Sequence, residues 1–288
     1  MEHVEAADSP HGRSSSRSSS ATHRWLNLVL QLNSVLFLLN LLPPCSCVVA
    51  RAAMVMTLQP LDGGDVAALM AVRSWLTDGA SPSTKPSFFS SWNFTYDPCS
   101  FEGVLCDHSA EAGGSARVVS LNLGSAIAGS VGLRGRLHPA IGSLSELVQL
   151  SLSPGRVAGL IPRAIGQLRK LQNLGLSHNR LAGALPPEIG DLKQLISLDF
   201  SFNRLTGAVP HSLAALPNLI SLGLAHNRLE GSLPSSFAGA MALEQIDLRR
   251  NSFMGALPAT FPPSLQRLIL SHNRNSASNP VCTPTHLH

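Results

Sequence analysis

Residues 168–186 read Leu168-Arg-Lys-Leu171-Gln-Asn-Leu174-Gly-Leu176-Ser-His-Asn179-Arg-Leu181-Ala-Gly183-Ala-Leu185-Pro186. The apolar spacing changes inside this stretch. Leu168 and Leu171 sit as on one side of a helical or 3₁₀ turn, whereas Leu174 and Leu176 alternate as on a short strand with one buried face. Asn179, Gly183 and Pro186 then punctuate the run. An Asn side chain offers donors and an acceptor to backbone groups that leave a strand ladder, Gly permits conformations or close approaches closed to other residues, and Pro fixes φ on the return.

Outward from this stretch the pattern recurs with a period of 24 residues, in the columns Asn179, Asn203, Asn227, Asn251 and Gly159, Gly183, Gly207, Gly231, Gly255. Pro162, Pro186, Pro210, Pro234 and Pro258 keep the same phase. No single coil buries its leucines alone, so coils stack, their strands join into a parallel sheet, and the leucines merge into one core. The spacing predicts an α/β solenoid of about seven coils over residues 117–276, each coil supplying one strand and one curved return. The first coil, Leu121 to Leu137, carries about five extra residues around 125–131, an expected loop. Gly155 stands where the second coil should have Asn, and Asn273 follows Asn251 by 22 residues.

This template resembles the plant extracellular leucine-rich-repeat pattern LxxLxxLxLxxNxLxGxIPxxLGxL. Residues 53–116 resemble the N-terminal cap of plant leucine-rich-repeat receptors, through Asp65-Val-Ala-Ala-Leu69-Met-Ala-Val72-Arg-Ser-Trp75-Leu76, Ser91-Trp92-Asn93 and Asp97-Pro98-Cys99-Ser-Phe101-Glu-Gly103-Val-Leu-Cys106. Asp65 reads as the acidic start of a cap helix. The resemblance implies a parallel sheet on a concave face, a helical N-terminal cap and a structural disulfide between Cys99 and Cys106. Asn279-Pro280-Val281-Cys282 is similar to the opening of the family's C-terminal cap, so 277–288 reads as a short tail with an incomplete cap. The partner of Cys282 is then not evident from the sequence.

The front of the chain differs in composition. A Ser/Arg-rich run before Arg24 cannot bury enough apolar surface to order itself, and Trp25 to Leu42 is Leu-rich and followed by Ala50-Arg51-Ala52. Residues 1–52 are therefore expected to be a disordered leader plus a secretory signal peptide. The expected location is extracellular, in the apoplast or cell wall. A retained signal anchor at the plasma membrane is the other reading. Asn93-Phe94-Thr95 is an N-glycosylation acceptor that fits a secretory route.

Function is read from what the solenoid exposes. Without its first 52 residues the chain loses four of 21 basic and three of 17 acidic side chains. The small remaining excess is no footprint for nucleic acid. No nucleophile, His and carboxylate stand in a recognised motif, and no phosphate-cradling Gly loop is present, so neither catalysis nor a cofactor is expected.

Positions flanking the strand leucines face outward, where repeat proteins place ligand contacts. The candidate surface is His178, Asp199, Phe202, His226, Asp247 and Arg250. His178 and His226 should lie about 10 Å apart, two strand spacings, so this column does not form a zinc site by itself. Arg156, Arg180, Arg204 and Arg228 make a further 24-residue column. Stacked guanidinium groups attract acidic partners such as a wall polysaccharide, and Arg is equally a common solvated filler.

By resemblance the chain is a non-enzymatic receptor-like recognition module that binds a peptide, a glycan or a receptor kinase ectodomain through its concave face. An inhibitor of a cell-wall hydrolase and a wall-associated structural protein are the alternatives.

Overall fold

The computed structural model describes residues 60–78, 88–108, 114–124, 132–214 and 216–274, with the backbone of Val281–Cys282. The expected leader and signal at 1–52 and the extra residues at 125–131 lie outside the described residues, as does most of the 277–288 tail.

The cap begins with helix α1 (Gly63–Trp75), one residue pattern earlier than the sequence suggested. Asp62 is the N-cap, its carboxylate accepting from the backbone N–H groups of Gly64 and Asp65. Asp65, read above as the helix start, is instead fully buried with Ala68, Leu69 and Val72 on the inward face. It accepts both the Nε and Nη2 donors of Arg117 at 3.0 Å and the Val118 backbone N–H at 2.9 Å. A side chain from the cap thus fastens the first coil, and this carboxylate holds the Arg117 pKa above its ordinary value.

Chain order continues through β1 (Leu76–Thr77), β2 (Val104–Asp107), β3 (Arg117–Asn122), β4 (Leu133–Arg136), β5 (Gln149–Ser151) and β6 (Gly155–Gly159). Then follow β7 (Asn173–Gly175), β8 (Arg180–Gly183), β9 (Ser197–Asp199), β10 (Arg204–Gly207), β11 (Ser221–Gly223) and β12 (Arg228–Gly231). The last are β13 (Gln245–Asp247), β14 (Ser252–Phe253), β15 (Arg267–Ile269) and β16 (Val281–Cys282). Odd-numbered strands from β3 to β15 run parallel in one sheet, flanked by antiparallel β2 at one end and antiparallel β16 at the other.

Even-numbered strands from β4 to β14 form a second sheet that the sequence reading did not anticipate. It assigned one strand to each coil, whereas the segment after the turn, Arg180-Leu-Ala-Gly183 and its equivalents, pairs coil to coil as well. The curved return begins only afterwards, as 3₁₀ turns opening on the Pro column at Arg163–Gln167, Pro187–Asp191 and Ser235–Gly239, and as the short helix α2 (His211–Ala214).

The two sheets keep different registers. In the first, Leu174, Leu198, Leu222 and Ile246 stand opposite one another, matching the 24-residue repeat. In the second, Ala182 pairs with Arg204 and Thr206 with Arg228, a separation of 22. Each coil therefore slips two residues in the second sheet while staying in phase in the first.

Between the sheets lies one continuous core containing Leu150, Leu174, Leu198, Leu222 and Ile246 with the fully buried Phe200, Phe237 and Phe253. The cap closes its open end with Phe88, Phe89, Trp92 and Phe101, whose rings lie edge-on or stacked at 5.1–5.5 Å. Cys99 and Cys106 form a disulfide beside this cluster. β1 joins the cap to the second sheet by pairing with β4. Gly135 is required there, because its φ is +122° and a Cβ would lie 1.9 Å from the Trp75 carbonyl oxygen.

The turn asparagines hold the coils in register. Asn203 Nδ2 donates to the carbonyls of Phe200 and Ser201 in its own coil and of Leu176 in the coil before, while its Oδ1 accepts from Leu181 N–H. Asn179, Asn227, Asn251 and Asn273 repeat the arrangement.

Two stability outcomes follow. Asn203→Ala removes the acceptor of the buried Leu181 N–H and one donor from each of the three carbonyls, and should lower the unfolding free energy by about 2 kcal/mol in urea denaturation. Asp65→Asn strips the charge from a buried pair and should cost about 2–4 kcal/mol, discounted because Arg117 keeps some solvent contact. Unfolding curves superimposable on the parent's would contradict both assignments.

Candidate functional site

The residue just before the turn asparagine enters the left-handed region in coil after coil. His178, Phe202, His226, Arg250 and His272 have φ between 54° and 61°. This conformation costs a non-glycine residue on the order of 1–2 kcal/mol, and Asn or Gly is the cheaper occupant. The chain nonetheless places rings there. Backbone bonds between coils hold the position, with His178 N–H donating to Ser201, Phe202 to Ala225 and His226 to Arg249.

The held geometry brings three of the six candidate residues together. The His178 and Phe202 rings stack at 4.2 Å with 12° between planes, and Phe202 and His226 at 4.0 Å with 16°. Phe202 is the middle layer and still 38% exposed. Arg250 continues the column. Burial lowers the His226 pKa below its ordinary value, and the positive charges of Arg250 and Arg249 lower it further.

Asp199 and Asp247 are not in this stack. They end β9 and β13 in one row across the first sheet, with Gly223 between them in register. The Asp199 carboxylate accepts from Ser201 N–H at 2.9 Å and leans over Gly223, where a Cβ would come within 2.7 Å of it. Asp247 accepts from Arg249 N–H and pairs with the Arg249 guanidinium at 3.2 Å, which partly neutralises it. The result is a strip of small residues, Ser151, Gly175 and Gly223 among them, with one acidic group near its middle and a wall of stacked rings alongside.

Among the described residues, no three His, Cys, Asp or Glu side chains are grouped so as to hold a metal. Asn93 is exposed, and its Oδ1 accepts from the Thr95 N–H and hydroxyl at 3.1 and 2.9 Å. No helix among the described residues is long and apolar enough to cross a membrane.

The family described as "Leucine rich repeat N-terminal domain" matches residues 62–107, and "Leucine Rich Repeat" matches 170–192, 194–216 and 218–240. A chain of the Arabidopsis thaliana BIR3–SERK2 complex is 31% identical, with 69% of this chain covering 99% of that one at a TM-score of 0.53. The chain belongs to the plant leucine-rich-repeat receptor ectodomain family. The ectodomain of the A. thaliana receptor kinase SOBIR1 is 29% identical and wholly covered by 70% of this chain, TM-score 0.56. The ectodomain of the A. thaliana receptor kinase GASSHO1/SCHENGEN3, solved with CASPARIAN STRIP INTEGRITY FACTOR 2, is 28% identical over 73% of this chain with a TM-score of 0.63. Of that longer ectodomain this chain spans only 27%.

The residues that sequence reasoning missed are Asp65 and Arg117. Nothing local marks a pair 52 positions apart. The ring stack was half visible, since the 24-residue column was there to read, but neither residue type nor spacing announces a left-handed backbone.

The His226 environment gives a testable pH dependence. A histidine whose folded pKa lies below its unfolded value favours the folded state above the unfolded value and loses that contribution as pH falls below it. Imidazole NMR titration should place His226 below 6.5, and Arg250→Gln should move it upward. A His226 pKa that ignores Arg250 would contradict the column's geometry.

Proposed function

We propose that this chain is an extracellular, non-enzymatic recognition module that holds a peptide ligand or the ectodomain of a receptor kinase against its first sheet. The observation that carries this reading is the His178–Phe202–His226 stack. Three rings held outside the core form one stack, and Phe202, covered on both faces by histidines, exposes its ring edge beside a strip of small residues. The left-handed backbone is common to all these coils, Arg250 and His272 included, and what sets this stretch apart is the exposed aromatic column it carries. Aromatic residues fixed in place are common anchors of protein interfaces, because little side-chain entropy is left to lose.

Roles divide by chemistry. Phe202 is the apolar anchor, Asp199 receives a cationic or N–H group of the partner, and Arg250 takes a carboxylate. The receptor kinase HAESA was solved with the peptide hormone IDA and the co-receptor SERK1, and another relative in a BIR3–SERK2 complex, which supports a peptide or ectodomain as the occupant. Passage through the secretory route with cleavage near residue 52 and a glycan on Asn93 belongs to the same proposal.

Binding of the full chain to the SERK2 ectodomain, with and without CASPARIAN STRIP INTEGRITY FACTOR 2, tests it by surface plasmon resonance. Phe202→Ala should weaken association by about 2 kcal/mol, roughly thirtyfold in Kd, with the melting temperature little changed. Association that does not depend on Phe202, or none with either probe, would sink this assignment of the surface.

A further inference from the structure

The second sheet has a charge pattern unlike the rest of the molecule. Its strands carry Arg134, Arg136, Arg156, Arg180, Arg204 and Arg228 against one carboxylate, Glu230. Five of the six arginines are exposed, Arg156 being half-buried, and none makes an ion pair among the described residues. Among the described residues, half of the cations outside this sheet are paired, in Arg117–Asp65, Arg163–Glu188, Arg169–Asp191, Lys170–Glu146 and Arg249–Asp247. A row of uncompensated like charges repels itself and draws a polyanion.

The row is a line, and the register gives its pitch. Arg180 pairs with Ala158, Arg204 with Ala182 and Arg228 with Thr206, so from Arg156 to Arg228 each arginine is displaced by one strand sideways and two residues along it. That places them about 8 Å apart. Small residues, Ala158, Ala182 and Gly183, lie between them and allow an extended chain to come close.

At the cap end Arg136 stands in register with Ala158 and Arg180, two strands across from Arg180, so the path turns there across the sheet to a groove of about 660 Å³ lined by Trp75, Arg136, Leu160, Pro162, Arg163 and Pro186. Trp75 is 45% exposed and meets the His138 ring edge-on at 4.5 Å. Arg136 lines the groove and lies about 10 Å, two strand spacings, from Arg180. An indole face takes the apolar face of a sugar ring, and a guanidinium grips a carboxylate through two parallel bonds.

We infer that the outer face of the second sheet binds a linear polyuronate, with a sugar ring on Trp75 and successive carboxylates on Arg136, Arg180, Arg204 and Arg228. The chemistry discriminates among polyanions. A peptide gains nothing from this face, since its strands are paired on both sides and offer no free backbone groups. A membrane presents a plane of headgroups, whereas from Arg180 to Arg228 each strand carries a single arginine. This site is separate from the ring stack on the first sheet and stands independently of the reading above.

Isothermal titration of the full chain with a size-defined oligogalacturonate tests the inference. Binding should weaken as salt rises. Arg180→Gln/Arg204→Gln/Arg228→Gln should lower affinity about tenfold, the sum of three exposed charge pairs. Trp75→Ala should lower it roughly fivefold. Arg169→Gln/Lys170→Gln/Lys193→Gln, the same charge change on the other flank, should leave it unchanged. Equal affinity for the fully methyl-esterified oligomer overturns the proposal. So does an equal loss in the flank variant, or preference for phosphatidylserine vesicles over the uronate.

Discussion

Everything in this protein depends on how each coil closes against the one before it, and one asparagine per coil governs that closure. The side chain of Asn203 engages three carbonyls and one N–H where the chain turns from one sheet to the other. Without it the turn would bury unsatisfied backbone, and the leucines on either side could not meet the next coil. The exception supports the rule. Gly155 replaces Asn in the second coil, where the amide would have reached the first coil's turn, and the first coil is the one with extra residues. A Cβ at Gly155 would lie 2.6 Å from Asn179 Oδ1, so the next asparagine occupies part of the space.

In the two proposals made above, the sheets divide the work of recognition as they divide the backbone. The first presents a low strip with Asp199 on it and rings beside it, and the second presents guanidinium groups in sequence. Both patterns come from one residue per coil repeated by stacking, so a single column of the sequence becomes a surface of regular chemistry. A partner that is itself periodic, whether an extended peptide or a chain of sugars, meets matching groups at each step.

Most of the fold was legible because the Leu, Asn, Gly and Pro columns share a period and each residue type has a physical reason to recur. The second sheet was not, for two reasons. Its strands are as short as Arg180–Gly183 with one apolar residue each, too little for alternation to register, and they pair at 22 residues where the sequence repeats at 24. Asp65 looked like a helix cap because an acid at the head of an apolar run usually is one, and only its burial against Arg117 reveals the other use. For the site, the His178, Phe202 and His226 column could be read, but the stacking of the rings depends on a backbone angle that His and Phe seldom adopt. The neutralising pair Asp247–Arg249 is adjacent in sequence and could have been anticipated.

The mismatch between the two registers bears on how such a chain grows. Both registers are relations between neighbouring coils only, so inserting or removing one complete 24-residue block leaves every remaining pairing intact, and the departures from that length in the first sheet fall at its two ends, Ser120 with Gln149 and Gln245 with Arg267. Lengthening by duplication is thereby confined to whole units, and each unit brings one more arginine column member and one more ring position with it. The reach of both surfaces is quantised: a descendant gene does not tune contact length gradually but adds or drops a complete rung on two faces at once.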